Sequence, residues 1–337
     1  PRGRIYLIKS ALEQNQFTQK SLSHMDRCLT CRSCETTCPS GVEYGQLLEI
    51  GREIMESKRG KFQTLYRYLV RKALLTTIIF KPIGYFYRHS KISSKPIKPE
   101  TIQSRVLLMG GCVQPSLAPN INHSIKNILA KLNIEVLESS QGQCCGALDQ
   151  HLAATSEAMK KVKRNIDNWI SQLDSGVEAI ISSASGCGVM IKDYPKLFKS
   201  SDPYFKKALL VSSKTKDIAE FLSNKDLSGL HLSELNITYH EPCTMQHGQQ
   251  LGGLVESILS QFGYIKKPVK DSHICCGSAG AYSIFETKIS NQLRDNKIDN
   301  LNASKPNMIV TSNIGCLMHL QKGSSIPVKH WVELLDV

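Results

Sequence analysis

Long hydrophobic runs are missing from this sequence. The longest largely apolar stretch, Ala73–Phe80, has eight residues, whereas a membrane-spanning helix needs roughly 18 or more. No charged segment followed by an apolar core opens the chain, so we recognise no secretory leader. Aromatic residues are only 7% of the 337 residues, charged residues are 21% and hydrophobic residues 41%. This is the composition of an ordinary globular protein with about two or three domains.

Nucleotide- and flavin-binding motifs are absent as well. No Gly-x-Gly-x-x-Gly follows a strand pattern, and there is no phosphate-binding loop or Ser-centred nucleophile elbow. The sequence therefore gives no indication that this chain itself binds a flavin, a nicotinamide or a nucleotide.

Negative charge is scarce, because 42 Lys and Arg residues face 29 Asp and Glu residues, a formal net charge of +13. The basic residues are spread over the chain without one dense run, and no nucleic-acid-binding module is recognised. We therefore expect no nucleic-acid partner. The charge favours an acidic protein partner, an anionic membrane face or reduced metal clusters with a net negative charge.

Cysteine is the residue in excess, with twelve in three groups of four. The first group has the spacing Cys-x2-Cys-x2-Cys-x3-Cys-Pro, the run of bacterial ferredoxins. Thiolates at this spacing wrap the backbone around one corner of an iron-sulfur cube. Structural zinc, which usually takes two separated cysteine pairs, and disulfides are the alternatives. The sequence predicts a [4Fe-4S] site that uses Cys28, Cys31, Cys34 and Cys38.

The fourth cysteine of such a run has a special role. In two-cluster ferredoxins it ligates the other cluster, so Cys38 would serve a cluster whose other ligands lie elsewhere. The first three cysteines would then need a ligand from a second run, and no such run exists downstream. We therefore expect a segment with a second run to precede Pro1 in the full-length protein. The alternative is one cluster that takes all four local cysteines.

The other eight cysteines form an internal repeat. Each copy has a cysteine, a Cys-Cys-Gly triplet 32 residues later and then a Gly-Cys pair. The four matched positions are offset by 131, 131, 131 and 129 residues, a regularity that indicates duplication. The two sets are Cys112, Cys144, Cys145 and Cys187, and Cys243, Cys275, Cys276 and Cys316.

Strand and helix patterns alternate in each copy, which predicts an α/β unit with a largely parallel sheet. Sites in such sheets gather at the carboxyl ends of strands. Cys112 should lie just after a strand and Cys187 in the loop after another, so that distant cysteines converge. The predicted strands are Arg105–Met109, Ile134–Leu137, Val177–Ser182, Ile237–His240 and Met308–Thr311. The predicted helices are Pro119–Leu132, Leu152–Leu173, Gly253–Phe262 and Phe285–Leu301.

Adjacent cysteines suit a metal cluster, because two neighbouring thiolates in a tight turn can serve it from the same side. Gly146 and Gly277 allow the positive φ or the close approach that such a turn needs. Buried apolar thiols, dithiol–disulfide chemistry by the adjacent pair and zinc are the alternatives. The duplicated spacing favours all eight cysteines as metal ligands.

Longer stretches resemble the iron-sulfur subunit family of bacterial glycolate oxidase, also called glycolate dehydrogenase. The resemblance covers essentially the whole chain and rests on PRGRIYLIK, DRCLTCRSCETTCPSGV, CCGALDQHL, ASGCG, CCGSAGAY, QLRDNK and SNIGC. The wider group with paired Cys-Cys-Gly domains includes lactate-utilisation, anaerobic glycerol-3-phosphate dehydrogenase and heterodisulfide reductase subunits. In the glycolate family an upstream ferredoxin run precedes the PRGRIYLIK stretch, which agrees with the ligand count above.

The resemblance implies an oxidoreductase subunit with [4Fe-4S] clusters and no catalytic residue of its own. Flavoprotein partner subunits would oxidise glycolate to glyoxylate with FAD, since hydride chemistry needs such a cofactor. This chain would pass the electrons toward a quinone-type acceptor. It would lie in the cytoplasm, at the inner face of the cytoplasmic membrane. The alternatives are a lactate or glycerol-3-phosphate dehydrogenase complex, or a non-enzymatic zinc- or redox-sensing protein.

One departure from the wider group concerns a fifth cysteine. Many Cys-Cys-Gly domains end in Cys-x2-Cys, but Ala184 and Asn313 stand at the first position of that pair here. Heterodisulfide reductase-like domains use the fifth thiolate in a non-cubane cluster, and its absence argues against that cluster type. Four thiolates suffice for one ordinary [4Fe-4S] cluster per copy, and the sequence leaves open whether each copy holds one.

Two histidines flank Cys243 and are candidate cofactor-binding residues. His240 or His247 would handle a proton at a quinone or tune the neighbouring cluster; the alternative is a hydrogen-bonded loop histidine. His151 and His273 near the triplets are weaker candidates, while packing is expected for His330.

Residues 61–88 interleave Phe, Tyr and Leu with Lys and Arg. This pattern predicts amphipathic helices that contact anionic lipid, or that pack between domains with a solvated basic face. Residues 91–101 are rich in Pro, Ser and Lys, which predicts a linker.

The sequence thus predicts a fold of the α+β or α/β class, with a helical ferredoxin-like half-module followed by two pseudo-repeated α/β Cys-Cys-Gly domains. The predicted divisions are half of a two-cluster ferredoxin-like module in 1–60, basic amphipathic helices and a linker in 61–104, the first repeat in 105–225 and the second in 226–337.

Overall fold

A computed structural model describes residues 1–14, 17–76, 96–139, 144–230 and 236–336. Part of the predicted amphipathic segment and the start of the predicted linker fall within 77–95 and lie outside the described residues. None of the helices in the described ranges has the length and apolarity needed to span a bilayer.

The N-terminal part is helical, and its helices surround a small apolar core. Met25, Leu48 and Met55 are fully buried there, and Cys28 and Cys34 pack against the same core. Gly51 lets two helices approach closely, because a Cβ at this position would lie 2.7 Å from Ile8 Cγ1. The helices are Arg2–Gln14, Gln19–Asp26, Ser33–Thr36, Tyr44–Glu56 and Lys61–Leu75.

The first copy of the repeat forms a four-stranded parallel sheet of order β2-β1-β3-β4. The buried positions of its inner strands are apolar except for Ser182 at the end of β3, as is usual for a parallel sheet covered on both faces. The strands are β1 (Ser104–Met109), β2 (Ile134–Glu138), β3 (Ala179–Ser182) and β4 (Thr215–Asp217). The helices are Gln114–Leu117, Pro119–Lys131, Ala147–His151, Thr155–Asp174, Ser185–Lys192, Pro203–Lys214 and Ile218–Leu222, with a 3₁₀ turn at Tyr194–Leu197.

The second copy forms a three-stranded parallel sheet of order β5-β6-β7, which corresponds to β1-β3-β4 of the first. Residues 265–269, the counterpart positions of β2, form no strand, and Pro268 lacks the N–H group that a strand ladder needs. The strands are β5 (Ile237–His240), β6 (Met308–Thr311) and β7 (Val328–His330). The helices are Leu254–Ser260, Tyr282–Phe285, Thr287–Asn302 and Ile314–Gln321, with a π-helical turn at Thr244–Gly248 and a 3₁₀ turn at Trp331–Leu334.

The two copies share one apolar core. Ile125 and Ile128 of the helix Pro119–Lys131 belong to the same cluster of buried side chains as Trp331 and Leu335 near the end of the chain. Because such close-packed side chains hold their neighbours in place, the two sheets have a fixed relative position.

The predicted α/β alternation is confirmed, but the prediction for one cysteine position was wrong. Cys187 lies in the first turn of the helix Ser185–Lys192 rather than in a loop. The equivalent Cys316 lies in the first turn of Ile314–Gln321. Met190 and Ile191 of the helix Ser185–Lys192 are buried in the same apolar cluster as Ile180 of β3, which favours helix directly after the strand.

Candidate metal centres

The cysteines of the first copy converge at the carboxyl edge of its sheet, and all twelve cysteines of the chain are free thiols. The Cys112 thiol is hydrogen bonded to Cys144, and this contact lowers the pKa of Cys144 to about 6 while it raises that of Cys112. Cys145 makes a similar contact with Cys187, which together with burial raises the pKa of Cys145. The first copy therefore brings its four sulfurs together as two pairs.

The cysteines of the second copy form a continuous chain of contacts. Cys243 Sγ donates to Cys275 Sγ at 3.8 Å, Cys275 contacts Cys276, and Cys276 contacts Cys316. The hydrogen bond to Cys275, followed by burial, raises the pKa of Cys243 well above its ordinary value. Buried thiols in contact form a soft donor set, which suits an iron-sulfur cluster or zinc.

Glycine shapes both triplet turns, as predicted. Gly146 and Gly277 have the same φ of +88°, a left-handed conformation that other residues rarely adopt. A Cβ on Gly277 would also lie 2.5 Å from the Ser290 carbonyl oxygen, whereas the nearest atom to a Cβ on Gly146 is Ala158 O at 3.4 Å. Each triplet turn therefore lies close against the helix that follows it in the chain.

A lysine lies near the cysteines of each Cys-Cys-Gly copy, and neither lysine was predicted from the sequence. The Lys161 charge helps to lower the pKa of Cys144. Lys297 is almost fully buried; burial lowers its pKa, and the nearby Cys276 and Cys275 oppose this. Its Nζ donates to the Asp271 carbonyl oxygen at 2.7 Å. A buried cation beside thiolates offsets part of their negative charge.

The ferredoxin-type run brings three of its cysteines together and leaves the fourth apart. Burial raises the pKa of Cys31 and Cys34, and the adjacent Cys28 sulfur adds to both shifts. Cys38 is partly exposed, and the backbone N–H group of Val42, followed by other backbone groups, lowers its pKa. No other cysteine contributes to that shift.

Two residues between these cysteines curl the backbone of the run. Thr30 and Arg32 both have positive φ, 53° and 59°, so the chain turns sharply around the side on which the sulfurs lie. Arg52 supports this loop from the helix Tyr44–Glu56, because its guanidinium donates to Thr30 Oγ1 at 3.1 Å and to the Cys28 carbonyl oxygen at 3.0 Å.

The run lies at the junction of the two copies. Arg32 Nη1 donates to Asp193 Oδ2 of the first copy at 2.5 Å, and Thr36 Oγ1 is hydrogen bonded to His247 Nδ1 of the second at 2.8 Å. The Cys243 sulfur is close enough to Cys31 to raise its pKa further. The three groups of cysteines are therefore neighbours in space.

A cavity of about 470 Å³ lies between the three groups. Cysteine spacing alone gave no signal that the two copies face the same space. Leu148 and Phe285 provide part of the apolar lining. The cysteines around the cavity are Cys28, Cys112, Cys144, Cys145, Cys187, Cys243, Cys275, Cys276 and Cys316.

His240 lies among the thiols at the end of β5. It is 3% exposed, its Nδ1 is hydrogen bonded to Thr311 Oγ1 at 2.9 Å, and burial lowers its pKa to about 3. Its ligand nitrogen and the sulfurs of Cys276 and Cys316 all lie within 4.8 Å of one another. The imidazole is therefore neutral and able to act as a ligand.

The other candidate histidines have different surroundings. His247 Nε2 is buried without a hydrogen-bond partner in the described structure. His151 Nδ1 contacts Glu49 at 2.7 Å, and His273 is exposed. His330 packs as expected: it is fully buried, and its Nε2 contacts the Ser183 carbonyl oxygen of the other copy at 3.0 Å.

Comparisons with known proteins agree with this architecture. A family model described as a cysteine-rich domain, CCG, matches residues 106–192 and 237–321. The glycolate oxidase iron-sulfur subunit of Escherichia coli K12 is 42% identical over 354 residues, which cover 100% of this chain and 87% of that protein. The probable glycolate oxidase iron-sulfur subunit of Bacillus subtilis is 26% identical over 96% of this chain and 83% of its own length. Lactate utilization protein A of Bacillus licheniformis is 26% identical over 69% of this chain and 99% of its own length.

Proposed function

Since the chain belongs to the cysteine-rich CCG family and, within it, to the glycolate oxidase iron-sulfur subunits, we propose that it receives electrons from a flavoprotein that oxidises glycolate to glyoxylate and passes them toward a quinone-type acceptor. As a member of this family it is an iron-sulfur electron-transfer subunit of an oxidoreductase complex. The observation that carries the proposal is the meeting of three cysteine groups around one cavity.

The proposed cofactors are [4Fe-4S] clusters. Cys28, Cys31 and Cys34 would be ligands of one cluster, and the separate position of Cys38 supports its assignment to a different cluster. The four cysteines of each Cys-Cys-Gly copy would hold a further metal-sulfur group. When bound, such groups supply transfer of single electrons.

Residues around the sulfurs have supporting roles in this proposal. Lys161 and Lys297 would offset part of the negative charge of the thiolates. Arg32 and Thr36 hold the ferredoxin-type run against both copies. A short separation between the groups favours electron transfer from one to the next.

The flavin would belong to a partner chain, because the sequence offers no dinucleotide-binding motif. The formal charge of +13 supports docking to an acidic surface of such a flavoprotein.

Attachment to the inner face of the cytoplasmic membrane is also proposed, and the helix Lys61–Leu75 supports it. Phe62, Leu65, Tyr66 and Leu69 follow helical spacing and are 84%, 55%, 47% and 55% exposed, a contiguous apolar stripe that favours contact with another surface. The expected solvated basic face is only partly present, because Arg67 and Arg71 turn inward to acidic residues.

This attachment is testable with vesicles that contain anionic lipid. Replacement of Phe62 and Leu69 by Ser should reduce co-sedimentation of the full chain with the vesicles, because both side chains would insert at the interface. Leu209→Ser is a matched control, since Leu209 is an exposed leucine (46%) on another helix. Equal binding by all three proteins would contradict membrane contact through this helix.

A lactate-oxidising complex is a second candidate, favoured by the similarity to lactate utilization protein A. That similarity reaches only 69% of this chain, whereas the similarity to the glycolate oxidase subunit reaches all of it at higher identity. The full-length match therefore supports glycolate over lactate.

The decisive experiment is anaerobic purification of the complex, followed by metal analysis and EPR. Glycolate should reduce clusters in the complex within turnover time, whereas lactate and glycerol 3-phosphate should leave them oxidised. Dithionite reduction gives the total number of clusters for comparison. Zinc without iron and sulfide would refute the electron-transfer function, and reduction by lactate alone would favour the second candidate.

A further inference from the structure

The two copies differ at one position beside their cysteines. In the second copy His240 is paired with Thr311 across β5 and β6, and in the first copy Met109 is paired with Ser182 across β1 and β3. The two pairs are equivalent, because each is the last residue pair of the corresponding strands, at the end where the cysteines lie. The imidazole of one copy is thus replaced by a thioether in the other.

The geometry of His240 is that of a metal ligand. Its Nδ1 is engaged by Thr311 Oγ1 at 2.9 Å, so Nε2 is the nitrogen left for a metal. Metal-binding histidines commonly use the second ring nitrogen in this way, because the hydrogen bond fixes the ring orientation and the tautomer. The surrounding strand holds the ring almost fully buried, so little side-chain freedom remains to be lost on binding.

The donor set around His240 is compact. A ring nitrogen of His240 and the sulfurs of Cys276 and Cys316 lie within 4.8 Å of one another. Among the described residues, this is the group of three potential ligands that is found at so short a separation. In the described ranges, no three potential ligands of the first copy lie so close to one another. Met109 offers only a weakly coordinating thioether in the equivalent place.

We propose that His240 Nε2 is a protein ligand of the metal-sulfur group in the second Cys-Cys-Gly copy, so that the two copies hold chemically different centres. The first copy offers thiolates alone, and the second offers thiolates and an imidazole. An imidazole that takes the position of one of the four thiolates places less negative charge on the iron than that thiolate would and raises the reduction potential. The second centre is therefore the stronger electron acceptor of the two. The inference rests on the proposed iron-sulfur function.

The test is pulsed EPR on the reduced full chain, in which histidine carries ¹⁵N. The expected result is a nitrogen hyperfine coupling of a directly bound imidazole, which changes with the isotope. His240→Met, which reproduces the first copy, should abolish that coupling and lower the potential of one centre. His319→Gln is a matched control, because His319 is also a buried histidine of the second copy and is bonded to Ser290 rather than to thiols. It should leave the coupling unchanged.

Other outcomes overturn the proposal. A coupling that persists in His240→Met, or that is absent from the unaltered protein, shows that His240 is not a ligand. If neither Cys276→Ser nor Cys316→Ser lowers the iron content, the second copy holds no iron centre. That result would also overturn the proposal. Met109→His provides a reciprocal check. For every variant, the iron content, the sulfide content and the melting temperature report whether the protein is folded. Reduction of the clusters by glycolate without any imidazole coupling would contradict this inference and leave the proposed function intact.

Discussion

Arg32 donates a hydrogen bond of 2.5 Å to Asp193, and this contact ties the ferredoxin-type run to the end of the helix that carries Cys187. The same guanidinium donates to Glu35 Oε2 at 2.7 Å. Its side chain is only 13% exposed, so the ion pair is shielded from solvent. Arg32 and Asp193 are 161 positions apart in sequence, so one side chain holds the ferredoxin-type run against the first copy.

Asp193→Ala should loosen this junction. The substitution leaves the partly buried Arg32 with Glu35 as its remaining carboxylate, and loss of a hydrogen bond between charged groups costs about 1.5–3 kcal/mol. We expect a lower free energy of unfolding in denaturant titrations of the purified chain. Glu178→Ala is the control, because its pair with Lys225 is longer, at 3.4 Å, and more exposed, at 45% for Glu178 and 29% for Lys225, and such a pair contributes little. Equal effects of the two substitutions would contradict a structural role for the Arg32 contact.

Gly277→Ala should destabilise the second copy more than a simple backbone effect explains. A left-handed conformation costs a non-glycine residue about 1–3 kcal/mol, and the added Cβ would also collide with the Ser290 carbonyl oxygen at 2.5 Å. Gly176→Ala separates the two causes, because Gly176 has a φ of +93° and no atom lies within 4 Å of the place that its Cβ would occupy. Thermal unfolding should show a larger loss for Gly277→Ala, and a similar loss for both would exclude the collision.

Asp217 should make stability depend on pH. Burial raises the pKa of its carboxyl group to about 6, so the folded protein retains a proton that the unfolded chain releases near pH 4. Stability therefore falls as pH rises from about 4 to 6, and the loss, about 3 kcal/mol, is fully present above pH 6.

Asp217→Asn removes this ionisation and keeps an effective helix N-cap. We expect its free energy of unfolding to exceed that of the unaltered protein, by a margin that grows between about pH 4 and pH 6 and then stays level. Denaturant titrations at several pH values measure the margin. A margin independent of pH would show that the carboxyl group ionises alike in the folded and unfolded states.

Asp149→Ala should weaken the attachment of the helix Lys61–Leu75 to the first copy. Asp149 is fully buried and accepts hydrogen bonds from Arg71 at 2.6 Å and from Lys161 at 2.5 Å. Removal of one partner of a buried ion pair costs about 3–5 kcal/mol. Limited proteolysis should therefore cut this helix faster in the variant.

The surface variant Asp167→Ala provides the comparison for Asp149→Ala, because Asp167 is about half exposed. Cleavage of the helix at the same rate in both variants would show that the pair with Arg71 does not hold it.

The elements that position most of the cysteines could be predicted from short segments. A thiolate spacing, a triplet with glycine, and apolar runs followed by helical patterns depend on residues close together in the chain. The predicted strands Ile237–His240 and Met308–Thr311 match the structure at both ends. Cys187 was misplaced because the start of a helix depends on which side chains bury against the sheet, and a loop and a first helical turn have similar local composition.

The sequence by itself determined the duplicated α/β architecture and predicted which cysteines would bind metal, because cysteine spacing and hydrophobic periodicity are local properties. Only the tertiary structure decided that all three cysteine groups border one cavity, that Cys38 stands apart from Cys28, Cys31 and Cys34, and that His240 meets two thiols of its copy. These relationships arise when side chains distant in sequence pack at helix and sheet junctions, where shape and charge, rather than spacing along the chain, select the neighbours.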